Sequence, residues 1–159
     1  SRGLGDVYKR QLLTLLLNIG LLYPHCQVPC GIYDDAVRIV TIKEDFATIS
    51  KAMVEIKTLS AKNDPQSLNQ LNRWIVTKEE HATNIQKVVS DYFLTQRVKS
   101  KNKNYDRHLR FLHELLVSAM NCKQTVESKN IDNGLKSLDN FVDIYFDEHG
   151  LEHLKKMSK

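Results

Sequence analysis

The chain has 159 residues, 42% of them hydrophobic, which is enough for one globular domain with a real core. Three prolines and six glycines set among many Leu, Ile, Lys and Glu lean it toward helices. Of a formal net charge of +4, Arg2, Lys9 and Arg10 against Asp6 place +2 in residues 1–24, so the rest is too weakly basic to indicate nucleic acid, and no dense Lys/Arg stripe with interleaved aromatics occurs.

In chain order, Lys9-Arg10 precedes an apolar run from Leu12 to Tyr23, the layout of a secretory leader. The run is too short for a bilayer, which needs ~20 residues, so no stable membrane span is expected. Residues 1–24 therefore read as a leader or propeptide. Signal peptidase favours small residues at the cut, whereas Leu22 and Pro24 precede His25. Either a dedicated leader-processing protease acts or the cut lies elsewhere. Residues 1–11 stand apart, because Asp6-Val7-Tyr8-Lys9-Arg10-Gln11 back-translates to a string resembling a transposon end used in sequencing libraries. They are set aside as an adaptor artefact, and the leader is expected to begin upstream of Leu12. The expected location is exported, periplasmic or extracellular; the alternative is cytoplasmic with a cleaved propeptide.

The densest chemistry follows at once: His25-Cys26-Gln27-Val28-Pro29-Cys30-Gly31-Ile32-Tyr33-Asp34. A cut before His25 would leave an α-amine, an imidazole, a backbone amide and two thiols within six residues. Thiolates select soft or borderline metals, and nickel(II) and copper(II) also favour square-planar nitrogen and sulfur donors. The amine of His25 and the amide nitrogen of Cys26 would close one five-membered chelate ring, and the Cys26 thiolate a second. Three intervening residues let Cys30 curl back to the fourth corner. Pro29 restricts the turn and Gly31 permits positive φ just beyond it. The His25 imidazole is then placed to bind axially. Without the cut, His25 offers an amide nitrogen, a far poorer donor. A Cys26–Cys30 disulfide, or a His-Cys neighbourhood without a role, also stays open at this point.

After Asp34 the spacing predicts four helices. The first runs from near Asp35 to about Leu59, with Ile39, Ile42, Phe46, Ile49, Met53 and Ile56 spaced 3-4-3-4-3. It stops at Ser60-Ala61-Lys62-Asn63-Asp64-Pro65. The second runs from about Ser67 to Phe93, with Leu68, Leu71, Ile75, Ala82, Ile85, Val89 and Tyr92 in register. Lys78 interrupts that stripe and is expected to snorkel to solvent. A polar loop follows over about Thr95 to Asn104, including the basic run Lys99-Ser100-Lys101-Asn102-Lys103. The third helix covers about Tyr105 to Val126, with Leu109, Leu112, Leu116 and Ala119 inward. The fourth covers about Ile131 to Glu148, with Ile131, Leu135, Leu138, Val142 and Tyr145 inward and Gly150 as a stop.

Four such stripes joined by short loops indicate an all-α, up-and-down four-helix bundle over residues 35–148, preceded by a metal-binding hook at 25–34, within a domain of residues 25–159. No Glu-x-x-His pair recurs on two helices, which excludes the di-iron carboxylate pattern. There is no Gly-rich phosphate loop, Gly-x-Ser-x-Gly elbow or zinc-protease motif. Cys122 reads as a small buried apolar residue. His108, His113, His149 and His153 lack partner spacing and read as surface residues.

The segment from His25 to Asp34 resembles the nickel hook of the nickel superoxide dismutase family, whose pattern is His-Cys-x-x-Pro-Cys-Gly-x-Tyr-Asp at a processed N-terminus. Ser90-Asp91-Tyr92-Phe93 resembles a second signature of that family, at the end of its second helix. The resemblance spans roughly residues 25–148. It implies a leader removed to expose His25, and nickel held by the His25 amine, the Cys26 amide nitrogen and the thiolates of Cys26 and Cys30. The His25 imidazole would join axially when the metal is oxidised. It implies a Ni(II)/Ni(III) cycle that converts superoxide anion to dioxygen and hydrogen peroxide, with Tyr33 gating or positioning the anion and Tyr92 assisting. It also implies a homohexamer with one nickel ion per subunit.

The chain departs from the family pattern in places. Gln27 stands where the family type has Asp. Helix one, reading Arg38-Ile39-Val40-Thr41-Ile42-Lys43-Glu44, has no Glu at the place that orients the axial imidazole, and the second helix is about four residues shorter. Glu44 and His81 are the candidates to support that imidazole instead. Two other functions fit the same residues: a secreted helical binding module with a structural Cys26–Cys30 disulfide, and a nickel or copper binder without turnover.

Overall fold

In the computed structural model, which describes residues 34–158, the first helix begins where the sequence supplies a cap. Asp34 has extended backbone, and its Oδ1 accepts the Ala36 N–H at 2.7 Å. Helix α1 then runs Asp35–Leu59. All six residues of the 3-4-3-4-3 stripe are buried, joined by Ala36, Asp45 and Ala52. Each large apolar side chain so placed contributes roughly 1.5–3 kcal/mol over leaving it exposed.

Asp64 caps the second helix by accepting the Ser67 N–H at 2.9 Å, and Pro65 occupies the first turn, where its missing N–H costs nothing. Helix α2, Pro65–Lys87, continues without a break as a π-wound segment, Val88–Arg97. The expected loop at Thr95 therefore starts only after Arg97. Helices α3, Tyr105–Gln124, and α4, Lys129–Tyr145, follow. Helix α1 packs on α2, α2 on α3, α3 on α4, and α4 closes on α1. The all-α bundle is thus as read from the stripes. No strand occurs among the described residues, and no helix there is long and apolar enough to cross a membrane.

Three local expectations fail. Leu68 and Ile75 are 45% and 38% exposed, although they continue the stripe. The last turn of α3 ends level with Lys78, so the first turns of α2 overhang it and pack on α1. Lys78 does not snorkel to solvent: it is 4% exposed, and its Nζ donates to the Cys122 carbonyl at 2.7 Å and to that of Lys123. The final carbonyls of a helix lack intrahelical donors and carry partial negative charge, so an ammonium there replaces its lost water. Gly150 is not a stop. Phe146 ends α4, Asp147 caps by accepting the Gly150 N–H at 2.8 Å, and a fifth helix, α5, runs Glu148–Met157.

The core between α2, α3 and α4 is aromatic. Phe93 meets Phe141 edge-on at 5.2 Å, and Phe141 stacks on Tyr145 at 4.8 Å. His108 belongs to this cluster rather than to the surface: it is 2% exposed and lies edge-on to Phe141 at 5.5 Å. Helix α4 comes so close to α1 that a Cβ on Gly134 would fall within 2.8 Å of Phe46 Cε1. Gly134→Ala is expected to lower stability by about 1–3 kcal/mol despite its better helix propensity, a loss readable in denaturant melts.

Candidate functional site

Of the residues assigned to the site from sequence, Tyr92 is described; His25, Cys26, Cys30 and Tyr33 lie outside the described residues. Tyr92 is 4% exposed and stands beside the start of α1. Its hydroxyl donates to Asp35 Oδ1, while Tyr145 donates to Asp35 Oδ2 at 2.7 Å. Arg97 completes the group, with Nε 2.9 Å from Asp35 Oδ1 and Nη2 donating to the Tyr92 hydroxyl at 2.8 Å. One carboxylate thus gathers two phenols and a guanidinium. Arg38 and Arg97 both lie over the Tyr92 ring, at 5.5 and 5.0 Å from its centroid.

The π-winding makes this cluster possible. In an α-helix, residues five apart face about 140° away from each other. Here the Val98 N–H reaches back to the Phe93 carbonyl at 2.8 Å, five residues earlier, and the Gln96 and Thr95 side chains reach the carbonyls of Asp91 and Ser90. The same winding brings Arg97 over Tyr92. Short π segments of this kind occur often at functional sites.

Burial, reinforced by the Asp35 carboxylate, pushes the Tyr92 phenol up to about 12, and the same causes raise that of Tyr145. Tyr92 therefore stays protonated near neutrality. In the unfolded chain it ionises near 10 and in the folded chain near 12, so its contribution to stability is complete below pH 10 and is lost as pH rises toward 12. Melting temperatures are expected to fall across that window. A flat profile from pH 9 to pH 12 would contradict the cluster.

The two candidates for imidazole support lie among the described residues, whereas His25 does not. Glu44 is exposed. His81 Nδ1 is engaged by buried Asp45 Oδ1 at 2.6 Å, and Asn84 donates to Asp45 Oδ2 at 2.6 Å. Asp45 lies ten residues along α1 from Asp35, or about 15 Å, so this layer is separate from the Tyr92 cluster. Asp35, Arg97 and Tyr145 were not foreseen as site residues. Asp35 read only as the start of a helix, Tyr145 as core, and Arg97 as loop.

Among the described residues, no group of three or more His, Cys, Asp and Glu is placed to hold a metal ion. Cys122 is fully buried, and burial pushes its thiol up to about 11, so it supplies no thiolate near neutrality. The thiols suited to a soft metal are those at Cys26 and Cys30 in the sequence.

The profile of the family described as nickel-containing superoxide dismutase matches residues 22–149. No curated protein and no solved structure matches the chain.

Proposed function

The chain belongs to the nickel-containing superoxide dismutase family, an oxidoreductase family acting on superoxide with nickel as cofactor, and from that membership we propose that its metal centre is the processed segment beginning at His25. The observation that carries this reading is that the match spans residues 22–149, taking in the His25–Asp34 motif together with the bundle. The donor set supports it: two thiolates, an amine and an amide nitrogen suit nickel, and anionic sulfur donors bring its higher oxidation state within reach. Cleavage before His25 creates the amine. The His25 amine, the Cys26 amide nitrogen and the thiolates of Cys26 and Cys30 would hold the metal, with the His25 imidazole as a further donor.

Nickel, when bound, supplies a Ni(II)/Ni(III) couple through which two superoxide anions and two protons become one dioxygen and one hydrogen peroxide. The chain's own residues bind and orient the anion. Tyr33 gates or positions it. Tyr92 assists as a neutral phenol, its hydroxyl donating to Asp35, while Arg38 and Arg97 lie over its ring. Long-range steering is modest, because the net charge outside the leader is only slightly positive. The protein is proposed to be exported and to assemble as a homohexamer. The exposed apolar side chains of Val54, Leu68, Ile75 and Val76, at 61%, 45%, 38% and 52% exposure, support self-association.

His25→Ala, in protein starting at that residue, separates the ligands. Amine, amide and thiolates survive the change, so nickel content is expected to stay near one per chain while superoxide turnover slows. Loss of all nickel would contradict the assignment. Intact mass settles the competing use of the thiols, since a Cys26–Cys30 disulfide lowers it by two hydrogens and precludes dithiolate binding.

A further inference from the structure

The family match ends at residue 149, but the chain continues as α5, Glu148–Met157. This helix lies almost wholly beyond the matched segment, and the four-helix ring closes without it. It packs on α1, burying Leu154 and partly burying Leu151. At the cap of that helix it makes a specific polar contact: His153 Nε2 donates to Asp34 Oδ2. Asp34 is the last residue of the hook motif and the cap of α1, its other oxygen holding the Ala36 N–H at 2.7 Å. The His153 contact is the largest cause holding the Asp34 carboxyl below its usual range. Asp35, next in the chain, is held by Tyr92, Tyr145 and Arg97. Two successive carboxylates are thus tied to α5, to α4 and to the π segment.

We propose that α5 is a latch on the root of the hook, and that His153, acting through Asp34, is a positioning residue for the metal-binding segment. Asp34 follows Cys30 by four residues in the sequence, so chain connectivity ties that proposed ligand to the first turn of α1. Fraying of that turn loosens the tie. An N-cap interaction contributes ~1 kcal/mol, enough to change local opening several-fold. The consequence for nickel rests on the metal assignment above; the latch itself does not.

The test uses the full chain from His25, comparing His153→Ala with His153→Gln, whose amide nitrogen can donate from a similar place. Without metal, hydrogen exchange at the amides of residues 36–39 is read against that of the mid-helix residues 46–53. With nickel, its rate of loss to excess chelator is read. His153→Ala is expected to speed exchange at 36–39 about fivefold to tenfold, leave 46–53 unchanged, and speed nickel loss by a similar factor, with His153→Gln restoring most of both. Unchanged exchange at 36–39, or a uniform rise along α1 that Gln does not reverse, overturns the latch. Faster exchange with unchanged nickel loss overturns the positioning role. If the parent chain binds no nickel, the metal assignment has failed and the exchange data alone decide the latch.

Discussion

Protein engineered to begin at His25 is expected to bind about one nickel per chain and to consume superoxide, whereas protein carrying residues 12–24 is expected to do neither. The difference is one nitrogen. An α-amine has a pKa near 8 and, once deprotonated, an available lone pair. The same nitrogen inside a peptide bond has its lone pair delocalised into the carbonyl. An uncut chain therefore loses the donor that closes the first chelate ring with Cys26, and keeps two thiols that oxidise to a disulfide. Metal analysis and superoxide decay on the two proteins decide the matter. Equal activity in both would remove the amine from the ligand set, and inactivity in both would remove the hook.

Cys26→Ser and Cys30→Ser, each in protein starting at His25, are expected to abolish turnover. A serine hydroxyl is a hard, neutral donor near pH 7, and with one of the two thiolates gone the higher oxidation state of nickel moves out of reach. Neither substitution touches the described core, so melting temperature and helical circular dichroism of the metal-free protein should hold. Cys122→Ser provides the contrast. It places a hydroxyl in a fully buried site, costing about 1–3 kcal/mol, while turnover of the folded protein survives. Undiminished turnover in either hook variant would sink the assignment.

The stripe of α1 was legible at every position because its inward face meets neighbours along its whole length. The first turns of α2 carry the same pattern, yet Leu68 and Ile75 are exposed, since where a neighbouring helix ends is not written in the stripe of its partner. Lys78 and His108 show the same limit from the polar side. A polar residue on an apolar face reads as solvent-bound until a helix end, or an aromatic cluster, is found waiting for it. The His25–Asp34 motif was read from residue types alone, and the family match spans it. The cluster around Asp35 was not, because Arg97 reaches Tyr92 only under five-residue winding, a spacing that a search for 3.6-residue periodicity passes over. Helix α5 was hidden behind Gly150, which sits within its first turn rather than after the fourth helix.

The winding of Val88–Arg97 also bears on how this chain can change length. A π-wound stretch can shed a residue by tightening its pitch, with no loop formed and no helix interrupted. Removing one residue between Tyr92 and Arg97 would leave the guanidinium four places on, at α spacing, and shift the chain beyond it by one register step. Across this segment, small insertions and deletions alter which side chain faces the Asp35 carboxylate rather than the outline of the bundle.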